Sequence, residues 1–126
     1  MPSEQAALEK LRRICLALPG ATEVTAWGHP NFKVAKKTFA AFERYQGEWA
    51  IAVKVDKGHQ EHLMTSDPRF YASPYVGARG WVSMKIAGRV SWKQVKALVV
   101  ESYRSLAPKK LLAALDDGGP SKSRTD

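Results

Sequence analysis

Apolar residues recur at three- and four-residue steps at the start of the chain. Leu8, Leu11, Cys15 and Leu18 fall on one stripe, which predicts an amphipathic helix over residues 3–18. Ser3 is placed to cap it, and Pro19-Gly20 stops it. The period then changes to two. Residues 23–27 alternate, and Phe32 to Val34 continue the pattern past a predicted turn at Gly28-His29-Pro30-Asn31. TFAAFERY (38–45) and EWAIAVKV (48–55) read as strands joined by Gln46-Gly47, a hairpin signal. Residues 57–64 predict a short helix ended by Ser66-Asp67-Pro68, and 70–78, rich in Pro, Gly and Tyr, a surface loop. Residues 80–86 form another predicted strand, turned by Ala87-Gly88.

Ser91-Trp92-Lys93-Gln94 is a capping box, with Ser at the cap and Gln three residues on. It opens a predicted helix over 92–106, whose stripe is Val95, Leu98, Val99, Ser102 and Leu106. Pro108 fits the first turn of a second helix over 109–115, where its missing N–H costs nothing. Residues 116–126 contain no large apolar side chain and are expected to be disordered. The expected fold is a single α+β domain over 1–115. It has two layers, an antiparallel sheet with helices on one face and the other face partly wet. Trp27, Phe39, Phe42, Trp49 and Trp81 are its expected core aromatics.

Charge adds a direction. Twenty Lys and Arg against twelve Asp and Glu give +8, a balance that favours polyanionic partners. Residues 80–110 alone hold seven bases against one acid, Glu101. The longest apolar runs fall far short of the roughly 20 residues that span a bilayer. The N-terminal segment has no apolar h-region. The one cysteine has no internal partner, so a cytoplasmic protein is expected.

Catalytic patterns are missing. The sequence holds no GxGxxG, P-loop or GxSxG motif and no CxxC pair. His59 and His62 are spaced to share a helix face, but no third metal ligand stands nearby. The expectation is a non-enzymatic protein with no metal and no cofactor. The lysines Lys33, Lys36 and Lys37 have two readings. They either guard an edge strand against unwanted pairing or form a wing that contacts phosphates. Arg79, Lys85 and Arg89 suit a second wing, with Lys93 and Lys96 behind it. His29, Tyr71, Tyr75 and Trp92 are the residues that would serve a small ligand instead.

Three blocks, WGHPNFKVAKKTFAAF, PYVGARGWVSMKI and WKQVKALVVESYRSLAPKKL, carry a resemblance. Through Trp27, Phe32-Lys33-Val34, Phe39-Ala40, Tyr75, Gly80-Trp81 and Ser102-Tyr103 the chain resembles the MmcQ/YjbR-like family of small bacterial proteins over residues 11–115. The resemblance implies an α-β(3)-α-β(2)-α fold similar to CyaY and to type III secretion chaperones, described as a "double wing" DNA-binding domain. Some relatives carry the name of a formyltransferase of purine synthesis, for which this sequence offers no motif. Many relatives have Lys-Val-Gly-Gly-Lys where this chain has Lys33-Val34-Ala35-Lys36-Lys37. Ala35 and Lys36 therefore argue against a turn with positive φ at that point.

Together these readings predict a protein that binds nucleic acid, duplex DNA above all, through phosphates and with little base specificity. The alternatives are a protein-interaction module of secretion-chaperone type, with or without homodimerisation, and a small-ligand domain.

Overall fold

The computed structural model describes residues 4–26, 28–74, 76–86 and 88–117. Helix α1 (Glu4–Leu16) precedes four strands, β1 (Thr22–Ala26), β2 (His29–Val34), β3 (Lys37–Tyr45) and β4 (Glu48–Lys54). Helix α2 (Lys57–Ser66), strand β5 (Phe70–Ala72), a 3-10 turn (Gly77–Arg79) and strand β6 (Trp81–Lys85) follow. Helices α3 (Trp92–Leu106) and α4 (Lys109–Asp116) end the order. The expected α+β class holds, and the six strands form one antiparallel sheet in the order β1-β2-β3-β4-β6-β5.

The four period-two segments of the first run are four strands, one more than the resemblance implies, and residues 29–31 are strand and not turn. His29 pairs with Ala26 and Pro30 with Thr25, so the chain reverses tightly at Gly28, whose φ is +81°. Pro30 is tolerated because it stands at the start of β2, before the pairing with β3 begins at Asn31. Residues 70–72 likewise pair with β6 as an edge strand and are not loop. Strand β2 lies between β1 and β3, so the lysine hairpin does not guard an edge.

The helices fill one face. Ala7, Leu11 and Cys15 of α1, Leu63 of α2 and Val95, Leu98, Val99 and Tyr103 of α3 are buried against Phe32, Phe42, Ile51, Val53, Val82 and Met84. A β-bulge in β3 turns Phe39 to this side, edge-on to Tyr103 at 5.5 Å. Phe39 and Phe42 are core, as expected, whereas Trp49 and Trp81 are half-buried; Trp49 stacks on Phe42 at 4.8 Å. Ser102 fastens α3 to two strands. Its hydroxyl donates to Phe39 O at 2.6 Å and accepts from Lys54 N–H at 3.0 Å. Tyr103 donates its hydroxyl to Pro19 O, and Arg12 grips Glu23 with two hydrogen bonds, tying α1 to β1. That guanidinium holds the Glu23 carboxyl below the usual range.

Ser91 caps α3 by accepting from Gln94 N–H. Pro108 stands one place earlier than expected, as the N-cap of α4. Asp116, expected in a disordered tail, closes α4 and pairs with Arg104 at 2.6 Å, since Leu111, Leu112 and Leu115 hold that helix on the core. Residues 118–126, the Ser3 cap and the core assignment of Trp27 lie outside the described residues.

The opposite face of the sheet carries small residues. Val24, Asn31, Ala41, Ala52, Ser83 and Tyr71 stand in one row across all six strands. Ala41, Ala50 and Ala52 are buried but belong to no part of the helix-side core.

Candidate nucleic-acid interface

Strand register gathers cations at one end of the sheet. Phe32 and Val34 of β2 face the core, which turns Lys33 to the other face, opposite Thr38. Lys37 pairs with Val34, leaving Ala35 and Lys36 as a two-residue turn. Both have positive φ, +50° and +70°, the conformation a type I′ turn requires. This overturns the expectation from the missing glycines. The hydrophobic register on either side fixes the loop at two residues, and the twist of the strands then imposes the turn type against local preference.

Strand β4 ends at the same end of the sheet as this hairpin, because Ala40 of β3 pairs with Val53. Lys54 therefore stands there, opposite Trp81 at the start of β6. Lys57 opens α2 one turn of chain later, where Asp56 caps the helix by accepting from His59 N–H. Arg79 arrives through Gly80. Val55 donates its N–H to Gly80 O at 3.0 Å, and a Cβ on Gly80 would stand 2.2 Å from Val55 O. Only glycine, here at φ +96°, permits that approach. Lys33, Lys36, Lys37, Lys54, Lys57 and Arg79 thus share one end, and among the described residues none of the six is in an ion pair. From β2 to β6 the row covers three strand spacings, about 14 Å.

The second predicted wing is split, with Arg79 apart from the rest. Arg79 and Lys85 flank opposite ends of β6, about 13 Å apart along the strand. Lys85 pairs with Glu48 at 3.5 Å. Arg89, Lys93 and Lys96 stand at the Lys85 end, the latter two on the exposed side of α3.

The expected small-ligand residues are also dispersed. His29 is on β2 and Tyr71 on β5, four strand spacings apart, about 19 Å. Trp92 is on the helix side, and Tyr75 lies outside the described residues. On the sheet face His29 acts electrostatically on Glu43, whose carboxyl is pushed up by burial. Tyr71 stacks on Tyr45 at 5.8 Å and lines a cavity of about 290 Å³ with Gln46, Glu48, Pro68 and Lys85. On α2, His59 Nδ1 lies 2.8 Å from Glu101 of α3, so it is held by a carboxylate across the helix pair. No helix among the described residues is long and apolar enough to cross a membrane.

A family model described as YjbR matches residues 16–105. The chain belongs to the YjbR family. Its resemblance to that family through the three blocks is therefore borne out. A solved structure, Deinococcus radiodurans protein DR2400 with a DUF419 domain, is similar to this YjbR chain at 20% identity. The match has a TM-score of 0.75 and covers 99% of this chain and 100% of the other, which shows a shared fold. No curated protein matches.

Two cations of the YjbR chain's basic end, Lys54 and Lys57, escaped the sequence reading. The available signal was their place at the end of the EWAIAVK strand, but its alignment with the lysine hairpin depends on the β3–β4 register.

Proposed function

We propose that this YjbR protein binds nucleic acid through the basic end of its sheet, contacting duplex phosphates. The observation that carries this is the convergence of six cations, free of ion pairs among the described residues, from the β2–β3 hairpin, the β4–α2 junction and the 3-10 turn. The one carboxylate within those segments, Asp56, is engaged as a helix cap. A row about 14 Å wide matches the roughly 12 Å breadth of a major groove, so its ends reach phosphates on both sides. Lys and a single Arg supply charge without the Arg, Asn and Gln forks that read base edges, so binding is sequence-tolerant. Among the described residues the exposed large apolar side chains, Leu16, Val24 and Tyr45, stand on three different elements, which gives an apolar protein-docking surface no comparable support.

The test is fluorescence anisotropy of a labelled random duplex across a salt series. Contact with four phosphates predicts a slope of log affinity on log salt near −3.6, a loss of roughly two orders of magnitude from 50 to 200 mM. Lys33/Lys36/Lys37→Ala and Lys54/Lys57→Ala each flatten the slope by about one unit per phosphate contact removed, whereas Lys93/Lys96→Ala leaves it unchanged. A wild-type slope shallower than about −1 sinks the reading.

A further inference from the structure

At the other end of the molecule a cavity of about 450 Å³ opens between α1 and the β6–α3 connection. Ala6 and Ala7 of α1 form one wall, and Ile86 and Val90 form another. Trp92, the first residue of α3, is half-buried on the cavity's side and gives it a flat aromatic surface. Two charged side chains line the space, Lys10 and Arg89, and both are cations. Lys10 Nζ stands over the Trp92 ring, 5.6 Å from its centre, so cation and aromatic surface adjoin. Among the described residues neither cation is in an ion pair, and no carboxylate lines the cavity.

Helix direction adds to this charge. Tyr103, near the end of α3, bonds Pro19, just past the end of α1, so both helices finish at the basic end of the sheet. Both therefore begin at the cavity end, and their positive dipole ends reinforce the two side chains. The volume lies within the 300–1,000 Å³ typical of small-ligand sites, and the composition does too: apolar walls with a few oriented polar groups.

We propose that this cavity is a binding site for an organic monoanion with a flat apolar body, an aromatic carboxylate or sulfonate. The ring lies along Trp92 between the Ala6–Ala7 and Ile86–Val90 walls, and the anionic group sits between Lys10 and Arg89. Arg89 supplies a planar fork suited to a carboxylate, and Lys10 a point charge. A polyanion is a poorer fit, because the two cations flank a small, half-open apolar space and do not stand in a row. The site lies at the opposite end from the proposed nucleic-acid surface and stands independently of it.

The experiment is a two-dimensional amide NMR titration of the full chain with 2-naphthoate, with neutral 2-naphthamide as the matched control. Naphthoate is expected to shift the amides of Ala7, Lys10, Ile86, Arg89 and Val90 and the Trp92 indole saturably in the sub-millimolar range. Naphthamide, Arg89→Gln and Lys10→Gln should each weaken binding about tenfold, as expected for one charge-assisted contact. Both altered side chains are exposed, and the spectrum itself reports that the variants fold. Four results overturn the proposal: no saturable shift at those amides, shifts confined to the basic end, naphthamide binding as tightly as naphthoate, or both variants retaining wild-type affinity.

Discussion

Ala35 and Lys36 hold the most strained backbone that the cation cluster depends on. Each occupies the left-handed region without glycine's freedom, at about 1–2 kcal/mol per residue. Gln46, in the β3–β4 turn, bears the same burden, but its neighbour Gly47 takes the second position at no steric cost. Replacing Ala35 or Lys36 by Gly removes the clash and returns part of the gain as unfolded-chain entropy. Each substitution is expected to stabilise by about 0.5–1 kcal/mol, seen as a rise in Tm of about 2–5 °C. Ala35→Gly keeps every cation, so its DNA affinity should stay at the wild-type value while its Tm rises. An unchanged or lower Tm for both variants would mean that the turn is not of this type.

At the level of elements, α3 was the most legible part of the sequence, and its interior explains why. A 3.6-residue stripe, a Ser cap and a Gln three places on are all local signals, and the helix runs over the residues they predict. Ser102 is the one polar residue on that stripe. In the structure it is the point where α3 meets the sheet, bonded to residues 63 and 48 positions away in sequence. No local pattern reveals such partners. Ser102→Ala keeps the helix propensity high but leaves the Lys54 N–H and Phe39 C=O without this bond. A loss of about 1–3 kcal/mol in denaturant-derived stability is expected. Because Lys54 is one of the six cations, the same variant should also weaken duplex binding, whereas Ser105→Ala, on the exposed side of α3, should do neither. A Ser102→Ala protein as stable as wild type would show that water replaces both bonds.

Across the whole molecule, the sequence foretold the two-layer class and the presence of a lysine cluster, and missed how the cations are divided. Periodicity places Lys33 on one face of a strand, but only the register of β2, β3, β4 and β6 brings Lys54, Lys57 and Arg79 beside it. The same register carries Lys85 and Arg89 to the far end, where Arg89 and Lys10 line one cavity that no linear pattern suggests. His29 and Tyr71 looked like loop residues because Pro, Gly and Tyr dominate their neighbourhoods, yet both pair in strands whose partners are supplied by long-range contacts. The excess charge is thus arranged by topology into two separate basic regions, one a row along the sheet end, the other small and apolar-walled.

The cysteine of α1 turns the molecule into its own clock. Cys15 is fully buried in the helix-side core, and burial pushes its thiol far above the ordinary range. A disulfide reagent such as dithionitrobenzoate reacts only when an exposed thiolate attacks its S–S bond and displaces the yellow thionitrobenzoate, so that release must wait for α1 to leave the sheet. With stability in the range usual for a domain, labelling in native buffer should run at least about a thousandfold slower than in denaturant. The ratio of the two rates then gives the free energy of that opening without a melting curve. Adding duplex DNA or naphthoate should slow the reaction in proportion to occupancy, and a labelling rate indifferent to a saturating ligand would mean that α1 opens without disturbing that ligand's site.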